Sequence, residues 1–407
     1  MEEGRYMDVI YCWRRQNNEV SEYTTCLFPL ALCEFFKPER LHLFVTAEAD
    51  RHSHCREIER AVGRRLNKVL ISDGNSEEQL WEIFQKVTDT VQAGSEVVFD
   101  ITHGFRSLPL VVFLAVAYLC QVKQIKLHRV VYGNFEARDK ETNRAPVFDL
   151  TSFVVLLDWL TGVKTLRQRD DAEQLADLLS SRHSSCWSND SPLAEDIKPR
   201  QLEKLSGALR KLSYALQLSR PVEVMKQAGQ LKKKLVEARP EVEQLSKPFA
   251  VLLQDIETEY NPYALPQPSR LTKENLSLQL ALIQRYASRG LAMQAVSLAR
   301  EWLVSFVMLE QDPEHWLSID GRRPVESKLS SGAQKLQSGP EHMPQQPQGT
   351  GLKTEQPLSK EILNAWGEIS QLRNDIDHCG LRENPRPTGS IMKAVKRLPE
   401  KLQNLLG

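Results

Sequence analysis

Residues Val97–Pro109, with the sequence VVFDITHGFRSLP, carry the pattern that decides the fold of the first part of the chain. An apolar, β-branched run ends at Asp100, a polar turn follows, and a second apolar run extends over Leu108–Cys120. Pro109 suits the first turn of a helix because the N–H that proline lacks would have no partner there. The segment therefore predicts a strand, a tight turn and a helix.

The turn itself is suited to binding an anion. Gly104 lets the backbone approach a ligand closely, and a helix N-terminus presents unpaired N–H groups at its positive dipole end. An ionised Asp100 only accepts hydrogen bonds and repels phosphate, so we expect it to accept backbone N–H groups and shape the turn. An ordinary turn without a ligand is the alternative, and Arg106 fits either a phosphate contact or a turn cap.

Strand-like and helix-like segments alternate through the first third of the chain. The predicted strands are Met7–Trp13, Leu41–Thr46, Val69–Ser72, Glu96–Ile101 and Leu127–Tyr132. The predicted helices are Ser21–Phe36, Ser53–Leu66, Ser76–Ala93 and a helix from Ser107 onward. The alternation predicts a largely parallel sheet with helices on both faces. Ligands of such sheets bind beyond the carboxyl ends of the strands, so we expect Thr46–Ala47, Asp100–Arg106 and Gly133–Asn134 to converge.

The rest of the chain is predicted to be helical. Leucines recur at spacings of three and four, which is typical of one buried helix face: Leu202, Leu205, Leu209, Leu212 and Leu216. Three prolines within residues 261–269 indicate a boundary, and a further helical segment begins near Leu271. Within it, Ser318–Lys360 is rich in Gly, Pro, Gln and Ser, which predicts a mobile insertion.

The composition of the chain bounds its function. Its 407 residues allow two or three domains, and 53 basic and 53 acidic residues leave no general attraction to nucleic acid. Residues Asp196–Arg239 hold 11 Lys or Arg against 4 Asp or Glu. This local excess fits either a solvated helix face or a contact with an RNA or nucleotide backbone.

Cysteine usage and apolar runs point to the cytoplasm. The seven cysteines include no C-x-x-C pair, and their odd number suits a reducing compartment. The first residues lack the features of a signal peptide, and Leu108–Cys120 is too short to span a bilayer. We therefore expect a cytoplasmic protein with no membrane partner.

A second constellation of chemical groups lies at RNDIDH, Arg373–His378, after a predicted helix over Ser359–Leu372 that Gly380 suits as an end. Residues five apart on a helix do not stack, so Arg373 and His378 reach one pocket only if the helix unwinds at His378. Arginine offers a fork of donors for phosphate oxygens, and histidine exchanges protons near neutral pH. The pair suits RNA cleavage by the 2′-OH of the RNA itself, and a surface arginine beside a helix-terminal histidine is the alternative.

Other polar residues admit less specific interpretations. His52 and His54 fit a metal pair or, more simply, a loop near the ligand site, and Glu301 fits an ion pair. No metal site is predicted in the last third, because no cluster of ligands with metal spacing occurs there. No G-x-G-x-x-G follows the first strand, which argues against an NAD-type oxidoreductase.

The turn DITHGFRSLP resembles the Asp-x-Thr-His-Gly signature of CARF domains, the Rossmann-like sensor domains of type III CRISPR systems that bind cyclic oligoadenylate. Thr25–Ala47 resembles the first helix and second strand of that family, and Val131–Trp159 resembles its closing strand and following helix. The resemblance implies that the activator is bound by Thr46, Ala47, Thr102, His103, Gly104, Phe105 and Arg106.

RNDIDH also resembles the R-x4-6-H motif of HEPN ribonucleases, and Ile283–Leu303 resembles the upstream helix of HEPN domains fused to CARF sensors. In that family two protomers form one composite site. The resemblance implies that Arg373 binds the scissile phosphate, that His378 performs acid–base chemistry and that Asn374 assists.

We therefore expect an α/β Rossmann-like CARF domain over residues 1–165, an all-α linker over 166–269 and an all-α HEPN domain over 270–407. The expected function is metal-independent cleavage of single-stranded RNA, activated by cyclic oligoadenylate, with tetra-adenylate favoured. The expected assembly is a homodimer or a higher homo-oligomer without a resident cofactor. A nucleotide-sensing regulatory protein with an inactive HEPN domain is the alternative.

Overall fold

The computed structural model describes residues 7–14, 19–102, 108–188, 195, 197–338, 357–381 and 383–406. The chain divides into two compact units, residues 1–161 with 182–199 and residues 162–181 with 200–407. The first is α/β and the second is helical, which confirms the predicted fold class. The division into three domains stays a prediction.

The first unit alternates strands and helices. Its strands are β1 (Val9–Arg14), β2 (Val20–Thr25), β3 (Leu41–Val45), β4 (Leu66–Leu70), β5 (Glu96–Asp100), β6 (Lys126–Gly133) and β7 (Arg144–Asp149). Its helices are α1 (Phe28–Phe36), α2 (Ala47–Arg51), α3 (Ser53–Val62), α4 (Glu77–Thr90) and α5 (Leu108–Val122), followed by α6 (Thr151–Arg169), which ends in the second unit.

The main sheet is mixed rather than largely parallel. Its strand order is β2-β1-β7-β6-β5, and β3 and β4 form a separate parallel pair. The β1–β7 and β5–β6 pairs are parallel, whereas β2 runs antiparallel to β1 and β7 antiparallel to β6. The prediction of a largely parallel sheet is wrong because β2 and β7 return as hairpins, which need no helical crossover. The β-branched segment Val20–Thr25 is thus a strand, and the helix predicted from Ser21 begins only at Phe28.

Apolar side chains cover both faces of the main sheet. In β6, Val130 packs with Val116 and Leu119 of α5, whereas the next residue, Val131, packs with Phe28 of α1. Successive side chains of a strand point to opposite faces, so the two valines belong to two separate apolar layers. This confirms the predicted covered sheet and fixes α5 directly behind the end of β5.

The remaining helices are α7 (Glu173–Trp187), α8 (Leu202–Gln217), α9 (Pro221–Leu245), α10 (Lys247–Ala250), α11 (Leu253–Tyr260), α12 (Lys273–Ser288), α13 (Ala292–Gln311), α14 (Ile319–Ser338), α15 (Lys360–Asp377) and α16 (Thr388–Leu406). The five periodic leucines are all buried on α8, as predicted. The predicted proline-rich boundary separates α11 from α12.

The first half of the predicted mobile insertion, residues 318–360, is a helix. On α14, Val325, Leu329 and Ala333 are buried at a spacing of four residues, and the helix packs against α13 and α15. The prediction is wrong for residues 319–338 because a narrow apolar stripe is enough to bury one side of a polar helix. Residues 339–356 lie outside the described residues.

Helix α13 is long and apolar enough to cross a membrane by length and composition alone. However, 56% of its apolar window is buried inside the fold. Its Trp302 is fully buried and donates from Nε1 to the Leu276 carbonyl of α12 at 2.9 Å. Helix α13 is therefore a central helix of the helical core.

We expect Gly133→Ala to destabilise the first unit. A Cβ at this position would lie 2.8 Å from the ring of Phe28, which is completely buried. Such overpacking lowers the free energy of unfolding by about 1–3 kcal/mol, measurable by urea denaturation. Gly207→Ala on α8 is the control, because its Cβ meets nothing within 4 Å and alanine favours a helix. A Gly133→Ala chain as stable as the parent would show that no close contact requires this glycine.

Candidate functional site

The turn after β5 is held by two hydrogen bonds, one within the turn and one to the neighbouring strand end. Asp100 Oδ1 accepts from the Thr102 N–H at 2.8 Å, which confirms that this carboxylate shapes the turn. Thr102 Oγ1 in turn accepts from the Gly133 N–H at 2.8 Å. The ends of β5 and β6 therefore meet as predicted, and both groups lie at the carboxyl edge of the sheet.

Four of the predicted activator-binding residues follow Thr102 directly and lie outside the described residues: His103, Gly104, Phe105 and Arg106. The chain is described again from Leu108, where α5 begins.

An apolar floor lies beneath the joined strand ends. The Phe28 ring faces Gly133, and Tyr11 of β1 packs on Phe28 with ring centroids 4.7 Å apart. Burial, and next the charge of Asp100, raise the pKa of Tyr11, so this phenol is neutral at physiological pH. These buried rings support the joined strand ends from the core of the unit.

Thr46 and Ala47 occupy a different strand end. Thr46 follows β3, in the separate strand pair, and its Oγ1 accepts from the Ala49 N–H at 3.3 Å as the cap of α2. Among the described residues, no hydrogen bond joins Thr46 or Ala47 to Thr102 or Gly133. Their role in ligand binding stays a prediction.

The histidines near α2 have a structural role. His52 caps α3, where its Nδ1 accepts from the His54 N–H at 3.3 Å. Within the part of the chain that the structure describes, one group has metal-ligand spacing: Asp50, Cys55 and Glu59.

An ammonium group already pairs with the two carboxylates of that cluster. Lys68 Nζ lies 2.6 Å from Asp50 Oδ1 and 2.5 Å from Glu59 Oε1. The two carboxylates raise the pKa of Lys68 and keep it charged. A salt bridge therefore explains this cluster without a metal ion.

The second constellation lies at the end of α15, whose two sides differ. Trp366, Ile369 and Leu372 are buried on one side, where the helix packs against α13 and α14. On the other side Arg373, Asn374, Asp377 and His378 are exposed. Helical periodicity thus places all three predicted catalytic residues on an accessible surface.

The helix unwinds at His378, which is the condition for bringing this residue toward Arg373. His378 is the C-cap, and its N–H donates to the Asn374 carbonyl at 3.2 Å. Cys379 and Gly380 follow with left-handed φ angles of 54° and 68°, so the left-handed residue next to the cap is Cys379, and the predicted Gly380 comes one position later, where its N–H donates to the Asp375 carbonyl at 3.0 Å. Arg373 Nε lies 3.0 Å from Asp377 Oδ2, one turn along the helix.

Asp375 is a supporting residue that sequence reasoning missed. It is 3% exposed, and its Oδ2 accepts from the Arg386 N–H at 3.3 Å, which fastens the segment after α15 to the helix. Its signal in the sequence is a charged residue three positions after the buried Leu372, on the apolar side of the helix.

Neighbouring charges on α13 serve packing. Glu301 Oε2 accepts from Arg322 Nη2 at 2.6 Å, which confirms the ion-pair interpretation of Glu301. The guanidinium of Arg300 lies over the Trp366 ring of α15, 4.5 Å from its centroid. These contacts fix α15 against the helical core beneath the exposed residues.

Two family models match separate parts of the chain. Residues 3–138 match the CARF domain of the CRISPR system endoribonuclease Csx1. Residues 155–264 match the second domain of the CRISPR-associated protein MJ1674. The first match includes the strand ends that Thr102 and Gly133 join.

The chain is also similar to individual proteins. The chain is 25% identical over 175 residues to the CRISPR-associated protein MJ1674 of Methanocaldococcus jannaschii, and the match covers 40% of this chain. It covers 27% of that protein, so the chain spans about a quarter of the length of the curated relative it matches. Enterococcus italicus Csm6 bound to cyclic hexa-2′-fluoro-hexa-dAMP is a similar solved structure, with a TM-score of 0.41 and 13% identity over 93% of this chain and 88% of that chain.

We expect Asp375→Ala to destabilise the end of α15. Removing the carboxylate leaves the Arg386 N–H without its acceptor and lowers the free energy of unfolding by about 1–3 kcal/mol, measurable by urea denaturation. Asp377→Ala is the matched control, since an exposed i,i+4 ion pair contributes only about 0.5 kcal/mol. Equal effects of the two variants would contradict the supporting role of Asp375.

Proposed function

We propose that this chain, a CARF-containing CRISPR-associated protein, is a single-stranded RNA endonuclease of type III CRISPR defence that cyclic oligoadenylate activates. The observation that carries the proposal is the exposed end of α15, which presents Arg373, Asn374 and His378 in a chain whose first third matches a CARF domain. We also propose that tetra-adenylate is the activator, that the protein acts in the cytoplasm and that it needs no resident cofactor.

The carboxyl edge of the main sheet supports the sensing role. Thr102 and Gly133 join two strand ends above the apolar floor of Tyr11 and Phe28. Backbone N–H groups at the start of α5 suit phosphate oxygens. For activation, the ligand has to bind the active arrangement of the protein more tightly than the inactive one.

The residues at the end of α15 support cleavage by the 2′-OH of the RNA. The 2′-oxygen attacks the adjacent phosphorus and the 5′-oxygen leaves, which gives a 2′,3′-cyclic phosphate and a 5′-OH. Arg373 would bind and stabilise the negative phosphate, and His378 would take a proton from the 2′-OH or give one to the 5′-oxygen. Asn374 would orient the side chains or the RNA.

The exposure of these residues supports a site shared by two chains. A single chain contributes one Arg373 and one His378, both on its surface. Electrostatic catalysis is strongest where water is excluded. Pairing of two α15 ends would supply two arginines and two histidines and enclose the RNA between them.

One observation favours the alternative of a nucleotide-sensing regulatory protein without nuclease activity. Arg373 is paired with Asp377 at 3.0 Å and so has a partner before RNA binds. An exposed pair of this kind contributes only about 0.5 kcal/mol, so an RNA phosphate competes with it easily. The ion pair is therefore compatible with a working nuclease.

We expect the purified protein to cleave single-stranded RNA in excess EDTA when cyclic tetra-adenylate is added. Products should end in 2′,3′-cyclic phosphate and 5′-OH, and DNA should survive. Arg373→Ala and His378→Ala should each lower the rate at least about 10²-fold. Gel analysis of end-labelled RNA and mass spectrometry of the products measure these outcomes.

The controls separate the mechanism from its alternatives. Asp377→Asn should change the rate less than about threefold, since the pair it removes is weak. An RNA with a 2′-O-methyl at the cut site should resist cleavage. Cleavage of that RNA at the normal rate, or dependence on Mg²⁺, would contradict the 2′-OH mechanism, and complete inactivity with tri-, tetra- and hexa-adenylate would favour the regulatory alternative.

We expect Thr102→Ala combined with His103→Ala to weaken activator binding and to leave the protein folded. Thr102 holds the turn through the Gly133 N–H, and His103 belongs to the signature that resembles the CARF family. Thr90→Ala is the control, because Thr90 ends α4 ahead of β5 and so lies at the opposite edge of the sheet. Calorimetry with cyclic tetra-adenylate measures the affinity, and an unchanged value in the double variant would refute the assignment.

A further inference from the structure

The helical unit contains a groove that is separate from the end of α15. It has a volume of about 680 Å³, within the range of small-molecule sites. Its walls are the start of α9, one side of α13 and the segment around Trp316. Arg373, Asn374 and His378 are absent from its lining.

A buried amide oxygen in this groove has no hydrogen-bond partner. Gln227 of α9 lines the groove and is 8% exposed, and its Oε1 accepts no hydrogen bond within the described part of the chain. Gln279, on the same lining, differs because its Nε2 donates to Asn275 Oδ1 at 2.7 Å. A buried acceptor without a donor is unfavourable, so a rotation of the Gln227 side chain into the groove is favoured by a ligand that presents an N–H or O–H group.

Next to Gln227 the groove offers a place for an anion. Helix α9 is 25 residues long and begins at Pro221, and the side chain of its N-cap residue, Arg220, makes no cap hydrogen bond. Lys226, one turn further on, is exposed and makes no ion pair among the described residues. Arg220 is paired with Glu223 at 3.6 Å, so Lys226 and the helix N-terminus supply the free positive charge.

The opposite wall is preformed and electrically neutral. Arg322 bonds to Glu301 at 2.6 Å, to Ser305 Oγ at 3.1 Å and to the Trp316 carbonyl at 2.9 Å. The lining also includes Leu218 and Leu317, which are 68% and 54% exposed. These leucines provide apolar surface on which a flat ring can lie.

We propose that this groove binds a nucleotide, with the phosphate at Lys226 and the start of α9 and an amino or hydroxyl donor at Gln227 Oε1. A nucleotide combines an anion, a hydrogen-bond donor and an apolar ring face, which are the three features the groove accepts. The proposal rests on the proposed function in one respect: the nucleotide belongs either to the RNA substrate, held away from the cleavage site, or to a free mononucleotide.

The test uses the full chain carrying His378→Ala, so that RNA stays intact. Calorimetry measures binding of 5′-AMP, adenosine and inorganic phosphate, and fluorescence anisotropy measures binding of a labelled single-stranded oligoribonucleotide. The variants are Lys226→Glu and Gln227→Met, and Lys232→Glu, exposed two turns along α9 and outside the groove, is the matched control. All of these chains keep the Thr102 turn, so any AMP bound there contributes equally to each measurement and does not affect the comparison between variants.

We expect Lys226→Glu and Gln227→Met each to weaken AMP binding at least about fivefold, the scale of one lost charge or hydrogen-bond contact, and Lys232→Glu to have no effect. Phosphate binding should fall in Lys226→Glu alone. A parallel loss of RNA affinity identifies the RNA as the source, and unchanged RNA affinity identifies a free nucleotide.

Equal affinities for AMP and RNA in the parent and all variants would overturn the proposal. Lys226 is exposed, so its variant decides the question even if Gln227→Met fails to fold. Failure of the proposed nuclease function is seen separately, as absence of cleavage by the chain that retains His378.

Discussion

The carboxylate of Asp170 is the constraint on which the helical unit depends. Asp170 directly follows α6 with a left-handed φ of 58° and is 1% exposed. Its Oδ1 accepts from Nε and Nη2 of Arg285, at 2.8 and 2.6 Å, and also from Arg289. Glu259 of α11 lies 3.0 and 2.8 Å from the same two guanidinium groups. Loss of one partner from such a buried network costs about 3–5 kcal/mol, so α6, α11 and α12 pack in the one arrangement that keeps these charges paired.

Polar groups in the helical unit fall into two classes that differ in burial. Tyr260 is buried, accepts from Arg285 at 2.7 Å, and has a pKa raised by burial, so it adds no negative charge to the network. Arg373 and His378, in contrast, are exposed, and the ion pair of Arg373 with Asp377 is a weak interaction within one helix turn. A surface pair of this kind gains catalytic strength only when a bound RNA and a second protein surface remove water from it. The difference in burial therefore fits the proposed nuclease site shared by two chains.

Local periodicity explains what could be predicted from the sequence. The buried leucines of α8 follow from their spacing of three and four residues, and Gly380 marks the left-handed segment just after α15. Strands β2 and β7 were not predicted. Whether such a short segment becomes a strand depends on its pairing with a neighbouring strand, which local sequence does not show. The buried side of α14 was missed because its three apolar residues lie within a polar composition that is also typical of disordered chain.

Some contacts between residues far apart in the sequence could be predicted, and others could not. Asp170 and Arg285 are 115 positions apart, and nothing in the spacing of the sequence joins them. Thr102 and Gly133 are 31 positions apart, yet their meeting could be predicted, since β5 and β6 are parallel neighbours whose carboxyl ends share one edge. The rule that carboxyl ends of neighbouring parallel strands share one edge does not bring Thr46 to this site, because β3 pairs with β4 outside the main sheet. A sequence therefore predicts a site at a sheet edge only as far as it predicts which strands are neighbours.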